Sequence, residues 1–131
     1  MDIILDTSFI LTSVKQKIKL FEDIEKDFPE ARIFVPLEAI EELEKIKNDK
    51  KNNLADRESA ELAVFIIKKY NPYIEPLGTP NVDIGIIRYA IQNKDAIIGT
   101  LDRELKVKIK AKIRDAKFLT IKQKRRIRLQ E

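Results

Sequence analysis

The sequence predicts an α/β fold of three layers, with a mostly parallel central sheet flanked by helices. Three observations predict it. Short apolar runs rich in β-branched residues, Ile3-Ile4-Leu5, Ile33-Phe34-Val35 and Ala96-Ile97-Ile98, are separated by longer segments with helical spacing. The runs do not alternate apolar and polar residues, which suits strands buried on both faces of a parallel sheet. Strand and helix then alternate along the chain, an order that implies right-handed crossovers. A length of 131 residues allows one domain with a real core and is too short for two.

The elements follow in order. Ile3 to Leu5 is a strand ending at Asp6, and Thr7 or Ser8 is placed to cap the next helix. Ile18, Phe21, Ile24 and Phe28 continue that helix until Pro29 ends it. Ile33 to Val35 is a second strand closed by Pro36. Leu37 to Lys47 is a helix with Leu37, Ile40, Leu43 and Ile46 on one stripe, and the polar stretch Asn48 to Asn53 is a loop. Ala55 to Tyr70 is a third helix, stopped by Asn71-Pro72. Tyr73 to Leu77 is a third strand, Gly78 to Asn81 a turn, and Val82 to Gln92 a fourth helix. Ala96 to Thr100 is a buried strand, Leu101 to Ala111 a helix, and Lys117 to Ile121 a last short strand. The expected organisation is a folded domain over residues 1–121 and a basic C-terminal tail over 122–131.

Composition removes whole classes of chemistry. Apolar residues make up 44%, near the globular norm, but charged residues make up 37%, well above the usual ~25%. The chain has no cysteine, hence no disulfide, thiolate metal site or cysteine nucleophile. It has no histidine, which excludes Ser-His-Asp catalysis, histidine general bases and imidazole ligands together. Catalysis must then run on carboxylates, hydroxyls, lysines or an oxygen-held metal. The net charge of +4 and a pI near 9.2 tilt the chain toward polyanions. The N-terminus opens directly on an apolar strand, and no apolar stretch approaches a membrane span. A cytoplasmic protein without a signal peptide or membrane contact is expected.

The carboxylates are the chemistry that is left. In open parallel sheets, sites collect at the carboxyl ends of the strands. Asp6 follows the first strand and Asp102 the strand ending at Thr100, so both point at one edge. Glu42 and Asp83 lie early enough in their helices to reach the same edge, and Thr7, Ser8 and Thr100 place hydroxyls beside the acids. Each acid also suits a plainer role. Asp6 and Asp102 suit helix N-caps, Asp83 suits a first helical turn, and Glu42 suits a solvated helix face. Between Glu41 and Glu42, the neighbours of Glu42 are more apolar, so Glu42 is the one expected to turn toward the fold. Carboxylates converging at one edge repel unless protonated or bridged by a cation, and hard oxygen ligands select Mg²⁺ or Mn²⁺.

The stretches Ile4 to Ser8, Val35 to Leu43, Val82 to Ala90 and Gly99 to Leu105 together resemble the PIN-domain nucleases. Ile4-Leu5-Asp6-Thr7-Ser8, Val35-Pro36 through Ile40-Glu41-Glu42-Leu43, Val82-Asp83 through Tyr89-Ala90, and Gly99-Thr100-Leu101-Asp102-Arg103-Glu104-Leu105 carry four acids in the order of that family. The archaeal branch similar to ribosomal-RNA-processing PIN proteins is the nearest match, through its terminal strand and the basic segment Lys122-Gln123-Lys124-Arg125-Arg126. The resemblance implies a PIN-like fold and an endoribonuclease dependent on Mg²⁺ or Mn²⁺. Asp6, Glu42, Asp83 and Asp102 are then its catalytic residues and metal ligands. It implies RNA as substrate and a homodimer, with a ribosome precursor as partner or, for VapC-type toxins of the same superfamily, an antitoxin. Two departures stand out: Leu101 replaces a polar residue before the fourth acid, and Ile84 follows Asp83 where that branch often pairs two acids.

Rivals fit less well. A haloacid-dehalogenase-like phosphatase wants a second Asp where Ser8 stands, and a receiver domain wants an acidic pair for which Asp2 lies too far upstream. A catalytically weak RNA-binding assembly factor on the same fold is the alternative, although a pure binder of polyanions gains nothing from clustered carboxylates. Lys122, Lys124, Arg125, Arg126 and Arg128 are placed to contact RNA phosphates without reading sequence, or to form a solvated end.

Overall fold

The computed structural model describes residues 1–122 and 126–130. The strands are β1 (Asp2–Leu5), β2 (Arg32–Pro36), β3 (Tyr73–Glu75), β4 (Ile97–Gly99), β5 (Lys117–Lys122) and β6 (Arg126–Gln130). The helices are α1 (Thr7–Lys15), α2 (Leu20–Asp27), α3 (Leu37–Asn48), α4 (Leu54–Tyr70), α5 (Val82–Gln92) and α6 (Arg103–Lys112). The strands form one sheet in the order β3-β2-β1-β4-β5-β6, parallel throughout except for the antiparallel pair β5–β6.

Successive strand residues point to opposite faces, and both faces are covered. Ile3, Leu5, Ile33, Val35, Ile97 and Leu119 pack on one side with Phe9, Ile10, Phe21, Leu43 and Ala63 of α1 to α4. Ile4, Phe34, Ile98 and Phe118 pack on the other with Ile86, Leu105 and Ile109 of α5 and α6. The continuous apolarity of these runs follows from this double burial. From β1 the chain moves outward through β2 and β3, then returns to lay β4 on the opposite side of β1. The strand order therefore reverses between β1 and β4, the place where open α/β sheets leave a crevice at their carboxyl edge.

Four local features differ from the sequence reading. The long first helix is two helices. Lys17 takes a left-handed conformation at φ 59°, its N–H bonds the Val14 carbonyl at 3.0 Å, and the Ile18 N–H bonds that of Ser13 at 2.9 Å. This is a Schellman stop built without glycine, which periodicity does not register. Neither Thr7 nor Ser8 caps α1; Asp6 does, in the capping role that its sequence position also suits. The helix expected from Leu101 begins at Arg103, because Asp102 stands outside it as the cap. Finally, Arg126–Gln130, set apart as part of a basic tail, forms β6, in register from Phe118↔Gln130 to Lys122↔Arg126. Ile127 supplies the reason, since it alternates with Arg126 and Arg128 and is buried in the α1–α4 core. Among the described residues, no helix is long and apolar enough to cross a membrane.

Candidate active site

Two loops, following β1 and β4, meet at the point of strand reversal. Asp6 leaves β1 with its N–H bonded to the Gly99 carbonyl at 3.0 Å, which ties the two strand ends together. Its side chain is only 4% exposed. Oδ1 accepts from the Phe9 N–H at 2.8 Å and the Ser8 hydroxyl at 2.9 Å, and Oδ2 accepts from the buried Thr100 hydroxyl. Thr100 Oγ1 in turn accepts the Asp102 N–H at 3.1 Å, so one hydroxyl links the first and fourth acids. Asp102 Oδ1 caps α6 by accepting from the N–H groups of Glu104 and Leu105 at 2.9 and 3.2 Å. Capping and site-building are thus one arrangement for Asp6 and Asp102, not rival roles.

Glu42 comes from the second turn of α3, where Thr7 donates to its Oε1 at 2.7 Å. It is exposed, at the open lip of the cleft, so an apolar setting does not explain its direction. The tie to Thr7 fixes it, while Glu41 lies outside the cleft lining. Asp83 stands half-buried in the first turn of α5, which Asn81 caps. Asp6, Thr7, Ser8, Glu42, Val82, Asp83, Leu101 and Asp102 line one open cleft of about 260 Å³.

The carboxylates are electrostatically under-compensated. Burial pushes the Asp6 pKa above its ordinary value, against the pull of Thr100, Phe9 and Ser8, and the charge of Asp83 adds to the rise. Burial likewise raises Asp83, followed by repulsion from Asp102, with Lys108 offsetting part of it. Such a set gains from a cation. Its donors are all hard oxygens, as Mg²⁺ and Mn²⁺ prefer. No group of three or more acidic side chains among the described residues is gathered tightly enough to hold an ion unaided. The donor set therefore suits an ion held through one or two carboxylates that keeps several waters.

Glu38 was not singled out from the sequence. Its carboxylate accepts the Leu77 N–H at 2.9 and 3.0 Å and the Gly78 N–H at 3.0 Å. Partial burial raises its pKa, yet these bonds outweigh burial and leave it lowered. The clipped turn leads into α5 and so sets where Asp83 stands. On the far side the turn rests on Gly85, where an added Cβ would lie 2.7 Å from Leu77 and 2.9 Å from Thr79. The contact joins residues about forty apart, so no local pattern announces it. Of the cations expected to meet RNA, Lys122 ends β5, and Arg126 and Arg128 lie on β6. Lys124 and Arg125 lie outside the described residues.

Comparison with known proteins gives three findings. Residues 3–124 match the family described as PIN like domain. The chain is 31% identical over 108 residues to Ribonuclease VapC4 of Methanocaldococcus jannaschii, covering 82% of this chain and 81% of that protein. Its fold is similar to the solved structure of the PIN domain endonuclease Utp24, with a TM-score of 0.78 and 25% identity over 98% of this chain and 90% of that one.

Proposed function

The chain belongs to the PIN-like domain family, and on that premise we propose that it is an endoribonuclease that hydrolyses RNA phosphodiester bonds with Mg²⁺ or Mn²⁺. Nuclease activity is the coarse function that its relatives support. One observation carries the finer reading: four carboxylates from four separate elements line a single cleft in a chain without histidine or cysteine.

One or two of Asp6, Glu42, Asp83 and Asp102 would hold the ion directly, and the others would meet it through its waters. When bound, it supplies a water of lowered pKa and positive charge for the phosphodiester oxygens. The chain's own residues supply orientation. Asp6 is fixed by three donors, from Ser8, Phe9 and Thr100, and so keeps its rotamer as charge enters and leaves the cleft. Thr100 transmits that position to Asp102. Thr7 engages Oε1 of Glu42, which leaves Oε2 at the solvent lip to take up a proton from water entering the cleft. Asp83 and Asp102 form the wall whose mutual repulsion a cation relieves.

The substrate we propose is single-stranded RNA, whose unstacked phosphodiesters reach a small open site most easily. The biological setting is processing of ribosomal RNA or VapC-type toxicity, with a ribosome precursor or an antitoxin as partner. Incubating single-stranded RNA with the protein should give internal cuts with Mn²⁺ or Mg²⁺ and none with EDTA. Cutting that survives EDTA would overturn the metal dependence. Intact RNA under every metal condition would overturn the nuclease reading.

A further inference from the structure

Charge is distributed unequally on the two sides of the cleft. On the β3 side, residues 33–44 and 71–87 hold six acidic residues and no Lys or Arg, while the flanking Arg32, paired with Asp2, and Arg88 line a groove separate from the cleft. Lys45 and Lys47 of α3 come only after Glu42, and Lys47 pairs with Glu44 at 3.8 Å. On the β6 side the residues are cationic, and strand geometry puts them on one surface. Phe118 belongs to the α6 side of the sheet, so Thr120 and Lys122 share that side, and β6 register adds Gln130, Arg128 and Arg126 opposite them. Lys106 of α6 confirms the face, donating to Gln130 Oε1 at 2.8 Å while it and Lys110 lie 5.9 and 5.8 Å from the Phe118 ring.

This surface reaches the catalytic edge. β5 runs parallel to β4, with Leu119 paired to Gly99, so Thr120 is level with Thr100, whose hydroxyl holds Asp6. Lys122 lies two residues farther along and one strand over, roughly 8 Å from Thr100 in backbone terms, given ~3.3 Å per residue and ~4.8 Å between strands. Arg126 stands opposite Lys122. Lys106 lies between the cleft and the hairpin: its N–H bonds the Asp102 carbonyl at 3.1 Å, and its ammonium reaches Gln130 of β6. On the other face, around Ile127, Asp23, Lys26 and Asp27 of α2 line a groove that Arg126 and Arg128 border, but among the described residues no ion pair joins these arginines to α2.

We propose that the α6 side of the β5–β6 hairpin, through Lys106, Lys122, Arg126 and Arg128, is a one-sided track for the RNA backbone. The strand leaves the cleft over this face, while the acidic β3 side carries no phosphates. This rests on the nuclease reading and adds a direction to it. The enzyme then needs nucleotides on one side of the scissile bond and tolerates their loss on the other.

The test uses the full chain and a single-stranded RNA whose cut site is first mapped with Mn²⁺. Neutral methylphosphonate linkages are then placed at two phosphates on the 5′ side or on the 3′ side of that site. Affinity is measured in EDTA, which prevents cutting. One placement should weaken binding, and the other should leave it unchanged. In Lys122→Gln/Arg126→Gln, the sensitive placement should lose its effect. Each phosphate contact on a single strand costs ~2.6-fold in affinity between 0.05 and 0.2 M salt, so two lost contacts should reduce that salt penalty by ~7-fold. Equal losses from both placements, or an unchanged salt penalty in the double variant, would overturn the track while leaving the nuclease reading standing. No cut in the parent RNA would remove that reading and the track with it.

Discussion

Replacing Asp102 by Asn and by Ala separates the capping role of this carboxylate from the metal-binding role proposed for it. Oδ1 of Asp102 caps α6 through two backbone N–H groups. Asn is about as good an N-cap as Asp, whereas Ala forfeits roughly 1 kcal/mol. With an unfolding entropy of ~2.1 cal/mol/K per residue, a chain of 131 residues shifts its melting point by about 3 to 4 °C per kcal/mol. Asp102→Ala should therefore melt about 3 to 4 °C lower, less whatever relief of repulsion at Asp83 returns. Asp102→Asn should melt within about 2 °C of the parent, since its cap is retained. Cleavage should fall in both by on the order of 100-fold or more, because a neutral amide is a poor ligand for a hard ion and several kcal/mol of transition-state stabilisation go with the ion. Thermal melts and single-turnover cleavage with Mn²⁺ are the two assays. If Asp102→Asn cut RNA at nearly the parent rate while Asp102→Ala did not, Asp102 would be a cap only, and the metal role assigned to it would be wrong.

Other perturbations separate positioning from ligation. Glu38→Ala frees the turn before α5 and should cost about 1 to 2 kcal/mol, discounted for the exposed side of this clip. It should weaken Mn²⁺ binding through Asp83, and Glu38→Gln, which keeps an acceptor, should recover most of both losses; equal damage in the two variants would refute the clip. Thr100→Val removes the hydroxyl that favours ionised Asp6, so the Asp6 pKa should rise further and the acidic limb of the pH–rate profile should move to higher pH. An unmoved limb would show that Asp6 does not control it. The raised pKa values of Asp6 and Asp83 also set a sign for stability. A folded pKa above the unfolded one costs nothing below the unfolded value and costs progressively more as pH rises through the folded value. Mn²⁺ should therefore raise the melting point more at pH 7.5 than at pH 5, and the opposite ordering would contradict the repulsion described for the cleft.

Much of the fold was legible because double burial leaves a plain mark. Ile3-Ile4-Leu5 and Ile33-Phe34-Val35 are apolar at every position, as a covered parallel strand requires. The edge on which Asp6 and Asp102 meet followed from strand direction alone. What was hidden depended on contacts between distant residues or on conformations without a compositional signal. Lys17 adopts a left-handed stop that sequence rules reserve mainly for Gly and Asn. Glu42 is aimed by Thr7, thirty-five residues away, rather than by its helical neighbours. Arg126-Ile127-Arg128-Leu129 does alternate at strand period, but so short a run among so many cations equally fits a solvated end, and only pairing with β5 and burial of Ile127 make it a strand.

Titrating Mn²⁺ into the parent protein and three variants by calorimetry most directly tests the claim that these carboxylates form a cation site. The parent should bind saturably, Asp6→Asn and Asp102→Asn should bind much more weakly, and Glu41→Gln, whose residue lies outside the cleft lining, should bind like the parent. Parent-like binding by both Asp variants, or a loss in Glu41→Gln matching theirs, would place the cation away from this cleft.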